Sequence, residues 1–129
     1  MTSAAPTMTT APMADRTRTR RLPTVVRHWL AAELSAARTA ADPWPYLERA
    51  HIVSQPWAWP HTRVHVQMLK VALRQRDRRE LLGQVIRTVV AGPGSLAGRY
   101  PLGNTGRTTM GLTEVADVPD DLARILHER

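Results

Sequence analysis

The chain has 129 residues, a hydrophobic fraction of 43%, a formal net charge of +7 and no cysteine. That length supports one domain plus a tail, and the missing cysteines exclude disulfides, thiolate metal sites and cysteine nucleophiles. No apolar run approaches the ~18–20 residues that span a membrane, so no membrane association is expected. The start of the chain has no apolar segment after a basic one and does not read as a secretory signal; a cytoplasmic location is the expectation. Almost all of the positive charge is arginine, Lys70 being the only lysine. A polyanionic partner such as nucleic acid suits that charge. The Ala- and Arg-rich usage of a GC-rich genome produces the same excess.

Residues 1–23 are rich in Thr, Ala and Pro, lack periodicity and carry Arg16, Arg18, Arg20 and Arg21. They are expected to be a disordered basic arm, with residues 24–129 forming a single helical domain. A first helix is predicted from Thr24 to about Ala41, with Val26, Trp29, Leu30, Ala37 and Ala40 on one side and Glu33 in the middle of that side. Asp42-Pro43 opens a second helix, whose face carries Trp44, Leu47, Glu48, His51 and Gln55. Pro56 and Pro60 bracket a turn. A third helix then runs from Pro60 to about Arg76 with His61, Val64, His65, Met68, Val71 and Ala72 inward. Asp77 and Glu80 resemble a capping box. Leu81, Leu82, Val85, Ile86 and Val89 form the apolar stripe of a fourth helix, and Gly92-Pro93-Gly94 is expected to end it. A Gly-rich stretch follows, then a short closing helix from Pro119 to His127. The expected fold is all-α: a small bundle of four main helices in two hairpins, a Gly-rich C-terminal loop and a short closing helix.

Glu33, Glu48, His51, His61 and His65 thus fall on the inward sides of three predicted helices. Glu48 and His51 are three apart and His61 and His65 four apart, so each pair shares a helix face. A Glu-x-x-His pair with a Glu from another helix is part of the ligand grammar of dimetal bundles, although no second Glu-x-x-His occurs here. The set suits a divalent transition metal such as Zn, Fe, Ni or Cu, and Met68 would add a soft ligand for copper. The alternative is a polar core network in which carboxylates and imidazoles bond each other. Glu80 is expected to act only as a cap, and His28 and His127 to lie at the surface.

The loop GRYPLGNTGR places Arg99, Asn104 and Arg107 among glycines, a pattern suited to an anion. It lacks the Gly-Lys-Ser/Thr of a phosphate-binding P-loop, and a purely structural loop in which Gly103 and Gly106 supply positive φ fits it better. Trp44, Trp57 and Trp59 could stack bases or pack the core. Ser54 and Ser95 lack a nucleophile-elbow setting, so no catalytic residue is assigned and the chain reads more as a binding domain than as an enzyme, with that question open. Ala50 and Ala72 sit at close-packing positions of paired helices, which gives a loose likeness to tetratricopeptide-type hairpins and hence to a scaffold for a protein partner.

The blocks LERAHIVSQPW, HTRVHVQML, RDRRELLGQ, AGPGSLAGRYPLGNTGR and PDDLARIL together resemble a small bacterial family, domain of unknown function 3703, over about residues 44–126. LERAH and GNTGR are the specific parts. The resemblance implies a stand-alone bacterial domain and no particular reaction. Its recurring pattern matches Glu48, His51, His61, His65, Arg99, Asn104 and Arg107.

Overall fold

The computed structural model describes residues 21–128. The expected basic arm lies outside them except for Arg21, Leu22 and Pro23, and of these Leu22 packs against the core. Among the described residues the fold is all-α, with α1 at Thr24–Thr39, α2 at Trp44–Ser54, α3 at Ala58–Gln75, α4 at Arg78–Leu96 and α5 at Asp120–His127. α1 pairs with α2 and α3 pairs with α4, while α5 lies against α2 and α1. No helix is long and apolar enough to cross a membrane.

α2 is the central element. It touches α1, α3 and α5, and every residue from Ala50 to Trp57 is buried. Asp42 accepts the Trp44 N–H at 3.1 Å and so starts α2. α3 begins at Ala58, with Pro60 in its first turn, where a missing N–H costs no helical bond. Its buried face is His61, Val64, His65, Met68, Val71 and Ala72, as the periodicity predicts. Met68 belongs to the apolar core with Leu47, Val53 and Leu122. Trp44 and Trp57 are core residues, whereas Trp59 is 74% exposed.

α4 departs from expectation twice. It runs through Gly92-Pro93-Gly94 to Leu96. Pro93 deprives only the Val89 carbonyl of a donor, and Val89 lies on the solvent side. The helix stops instead at Gly98, which adopts φ +66°. There the Gly98 and Arg99 amides donate to Ser95 O at 3.0 Å and Gly94 O at 2.8 Å, a Schellman closure that favours glycine.

The second departure is the face that α4 buries. Its inward residues are Glu80, Gln84, Arg87, Ala91 and Ser95. The apolar residues Leu82, Val85, Ile86 and Val89 point outward, between 46% and 71% exposed; only Leu81 of the expected stripe packs against the core. A polar face can be buried only when each group finds a partner. Here Glu80, Gln84, Arg87 and Ser95 all do, in the 97–119 loop and on α2 and α3.

Val89→Lys should therefore change folding stability by less than about 0.5 kcal/mol in urea denaturation, the usual scale for an exposed position. A loss of several kcal/mol would show that Val89 is packed.

Candidate metal centre

α2 supplies His51, and α3 supplies His61 and His65 one turn apart. Their exposures are 3%, 5% and 3%. The Nε2 atom of His51 lies 2.9 Å from His61 Nε2 and 3.0 Å from His65 Nε2. The ring centroids are 4.6–5.0 Å apart, the His51 ring standing edge-on to the other two.

The opposite nitrogens fix the tautomers. His51 Nδ1 lies 2.6 Å from the Asn104 carbonyl, which can only accept. His65 Nδ1 lies 2.8 Å from Gln84 Oε1. The orientation of that amide follows from its Nε2, which donates to Glu80 Oε1 and Gly106 O, both at 2.8 Å. His61 Nδ1 lies 2.8 Å from Ser95 Oγ, and that hydroxyl donates to Gln55 O at 2.6 Å, leaving its oxygen to accept. Each Nδ1 therefore carries the proton, and each Nε2 is left with a lone pair. Three lone pairs face one another with no hydrogen between them.

The electrostatics keep the imidazoles neutral. Burial, followed by the neighbouring His65 and His61, pushes His51 well below its ordinary value, against the pull of the Asn104 carbonyl. Burial and His65 bring His61 down to about 3. Burial brings His65 to about 4; its bond to Gln84 opposes the shift and the Arg87 charge adds to it.

The loop after α4 holds these partners in place. Gly106 has φ +82°, and a Cβ there would meet the His51 ring at 2.6–2.9 Å, so only glycine lets the backbone lie on the imidazole. The Asn104 side chain donates to Gly111 O and Glu114 O and accepts from Gly106 N, which folds the loop back on itself. Glu80 does more than cap: Asp77 Oδ1 accepts its N–H at 3.0 Å, while its buried carboxylate takes bonds from Thr108 and Gln84 and pairs with Arg107 Nε at 3.2 Å. Burial pushes that carboxyl up, but the bonds and the Arg107 charge outweigh it and hold Glu80 below its usual value.

Of the five expected ligands, the structure brings together His51, His61 and His65. Glu33 instead meets Arg49 at 3.5 Å, and Glu48 meets Arg107 at 3.3 Å. Burial raises both carboxyls and the arginines oppose the shift. Of the expected anion-binding residues, Arg107 is committed to Glu48 and Glu80 and lies 3.7 Å over the Trp44 ring. Asn104 organises the loop, and only Arg99 remains exposed. Gln84, Ser95 and Arg87 join the site from α4, outside the motifs that mark the histidines. Their signal was present as a second, polar stripe on α4 at helical spacing from Glu80.

The chain matches the family model described as "Protein of unknown function (DUF3703)" over residues 24–126, and it belongs to that family. No curated protein and no solved structure matches it.

Buried neutral imidazoles tie stability to pH. Below about pH 6.5 an unfolded chain protonates these histidines, while the folded His65 and His61 stay neutral to about 4 and about 3. The unfolded state then holds more protons, so stability is full above about 6.5 and is lost as pH falls. Glu33 and Glu48 act in the opposite sense, as two partly exposed groups against three buried ones. Chelator-treated protein should lose roughly 1 kcal/mol or more per pH unit between about pH 6.5 and 5, measured by urea denaturation. A flat profile would contradict the neutral triad.

Proposed function

We propose that this domain binds one divalent transition-metal ion through Nε2 of His51, His61 and His65. The observation that carries the reading is the convergence of three unprotonated Nε2 lone pairs whose opposite nitrogens are all committed as donors. A single proton could bridge only one pair of them; a cation satisfies all three. Neutral imidazole suits Zn, Fe, Ni and Cu. Tetrahedral zinc bonds of about 2.0–2.1 Å would space the nitrogens about 3.3 Å apart. The two pairs that involve His51, at 2.9 and 3.0 Å, need to open by a few tenths of an ångström, and the His61 and His65 nitrogens, within 4.8 Å of each other, need to draw together. Metal-binding histidines usually donate their other N–H to a carbonyl, carboxylate or amide, which orients the ring. Here Asn104, Ser95 and Gln84 take those bonds. Three protein ligands leave a fourth position open, the pattern of zinc sites that exchange ligands rather than of closed structural ones.

Calorimetry on untagged, chelator-treated protein with Zn, Ni, Cu and Fe(II) tests the reading. One ion per chain should bind with Kd of about micromolar or tighter, and at about 100 times Kd it should stabilise the fold by about 2.7 kcal/mol. His61→Ala combined with His65→Ala should abolish the increment while the helical spectrum persists. Binding no tighter than about millimolar for every ion would retire the proposal.

A further inference from the structure

The three imidazoles form one wall of a cavity of about 200 Å³ that Gln55, Arg87 and Arg99 also line. Drug-sized ligands occupy about 300–1,000 Å³, so the space suits something smaller. Two groups in that lining call for a ligand. Arg87 is only 8% exposed, donates to Met110 O at 2.6 Å and has no carboxylate within ion-pair distance among the described residues. A buried guanidinium is ordinarily paired. Gln55 is fully buried; its Nε2 donates to Pro101 O at 2.6 Å, which fixes the amide, and its Oε1 has no partner among the described residues. A buried carbonyl oxygen left without a donor is costly.

The charges point the same way. The cavity has no acidic residue in its lining, and its cations are Arg87 and, exposed, Arg99. Three neutral imidazoles would leave a divalent ion its full charge. An anion beside the ion would balance its charge and offer acceptors to Arg87, and one that carries a hydrogen would also donate to Gln55 Oε1.

Resting on the metal reading above, we propose that the cavity binds a small protonated oxyanion at the open coordination position, with Arg87 and Gln55 as its polar partners. Hydrogenphosphate and hydrogencarbonate have this chemistry; nitrate has the shape and charge but no O–H. Hydrogenphosphate and hydrogencarbonate enter the test as separate arms, since Arg87 and Gln55 recognise what they share, and nitrate is the comparison without an O–H.

The test uses protein loaded with Co(II), whose visible spectrum reports the ligands around the ion. Phosphate, hydrogencarbonate and nitrate are titrated separately. Phosphate or hydrogencarbonate should shift the spectrum saturably, and roughly tenfold more tightly than nitrate. Arg87→Met should weaken binding of all three anions by roughly tenfold or more, with Arg87→Lys in between, since a point charge lacks the guanidinium fork. Gln55→Met should instead remove the preference over nitrate. The anion-free cobalt spectrum of each variant shows whether its histidine site is intact. A parent protein with no cobalt spectrum would overturn the metal reading and this inference with it. A normal cobalt spectrum unmoved by millimolar phosphate or hydrogencarbonate would overturn this inference alone. Equal affinity for nitrate, or unchanged binding in an Arg87→Met variant with an intact cobalt spectrum, would overturn the assignment of Gln55 or Arg87.

Discussion

Everything about the polar centre depends on where three protons sit. If Nε2 of one histidine carried a hydrogen and faced the lone pair of its neighbour, a contact at 2.9–3.0 Å would be an ordinary imidazole hydrogen bond and the cluster would be a closed core network. The acceptors on the other side forbid this. A backbone carbonyl, a serine oxygen whose own hydrogen is already used and an oriented glutamine oxygen each require a donor from Nδ1. The surrounding polypeptide thus decides that three lone pairs meet in the interior. Burial then keeps the rings neutral, because a charged imidazole there has neither solvent nor carboxylate to stabilise it.

The unusual inner face of α4 follows from that arrangement. Gln84 and Ser95 face the histidines of α3 across the hairpin, and Glu80 anchors Gln84. A helix built this way cannot also turn Leu82, Ile86 and Val89 inward, so they are left on the surface. The 97–119 loop completes the enclosure with its backbone: Asn104 O to His51, Gly106 O to Gln84 and Met110 O to Arg87. Glu80 and Glu48 hold the loop from below through Arg107, which also stacks on Trp44. The motifs LERAH and GNTGR, some 50 residues apart, are therefore two sides of one contact, Asn104 and Gly106 closing on His51.

What the sequence made legible was local. The inner face of α3 could be read residue by residue, because a period of 3.6 determines which side chains share a side. His61 and His65 came from that pattern, and His51 from its place on α2. The parts that misled were long-range. Glu33 and Glu48 lie on the expected sides of their helices, but Arg49 and Arg107 engage them, and spacing along a helix does not reveal an arginine 59 residues away. The inward face of α4 was misjudged because apolar periodicity assumes that apolar residues seek the core. That assumption fails where buried partners compensate a polar stripe. The side chains of the GNTGR loop suggest an anion site, whereas its carbonyls make the decisive bonds, and backbone atoms leave no mark in a sequence. Gly98, rather than the Gly-Pro-Gly before it, terminates α4, because a proline on the solvent side of a helix can be carried through.

The tautomers themselves can be measured. In chelator-treated protein labelled with 15N at histidine, long-range proton–nitrogen spectra distinguish the two ring nitrogens near neutral pH. The account predicts that His51, His61 and His65 all carry their single proton on Nδ1, with Nε2 unprotonated. Finding an Nε2–H on any of them, or a doubly protonated ring at neutral pH, would contradict it.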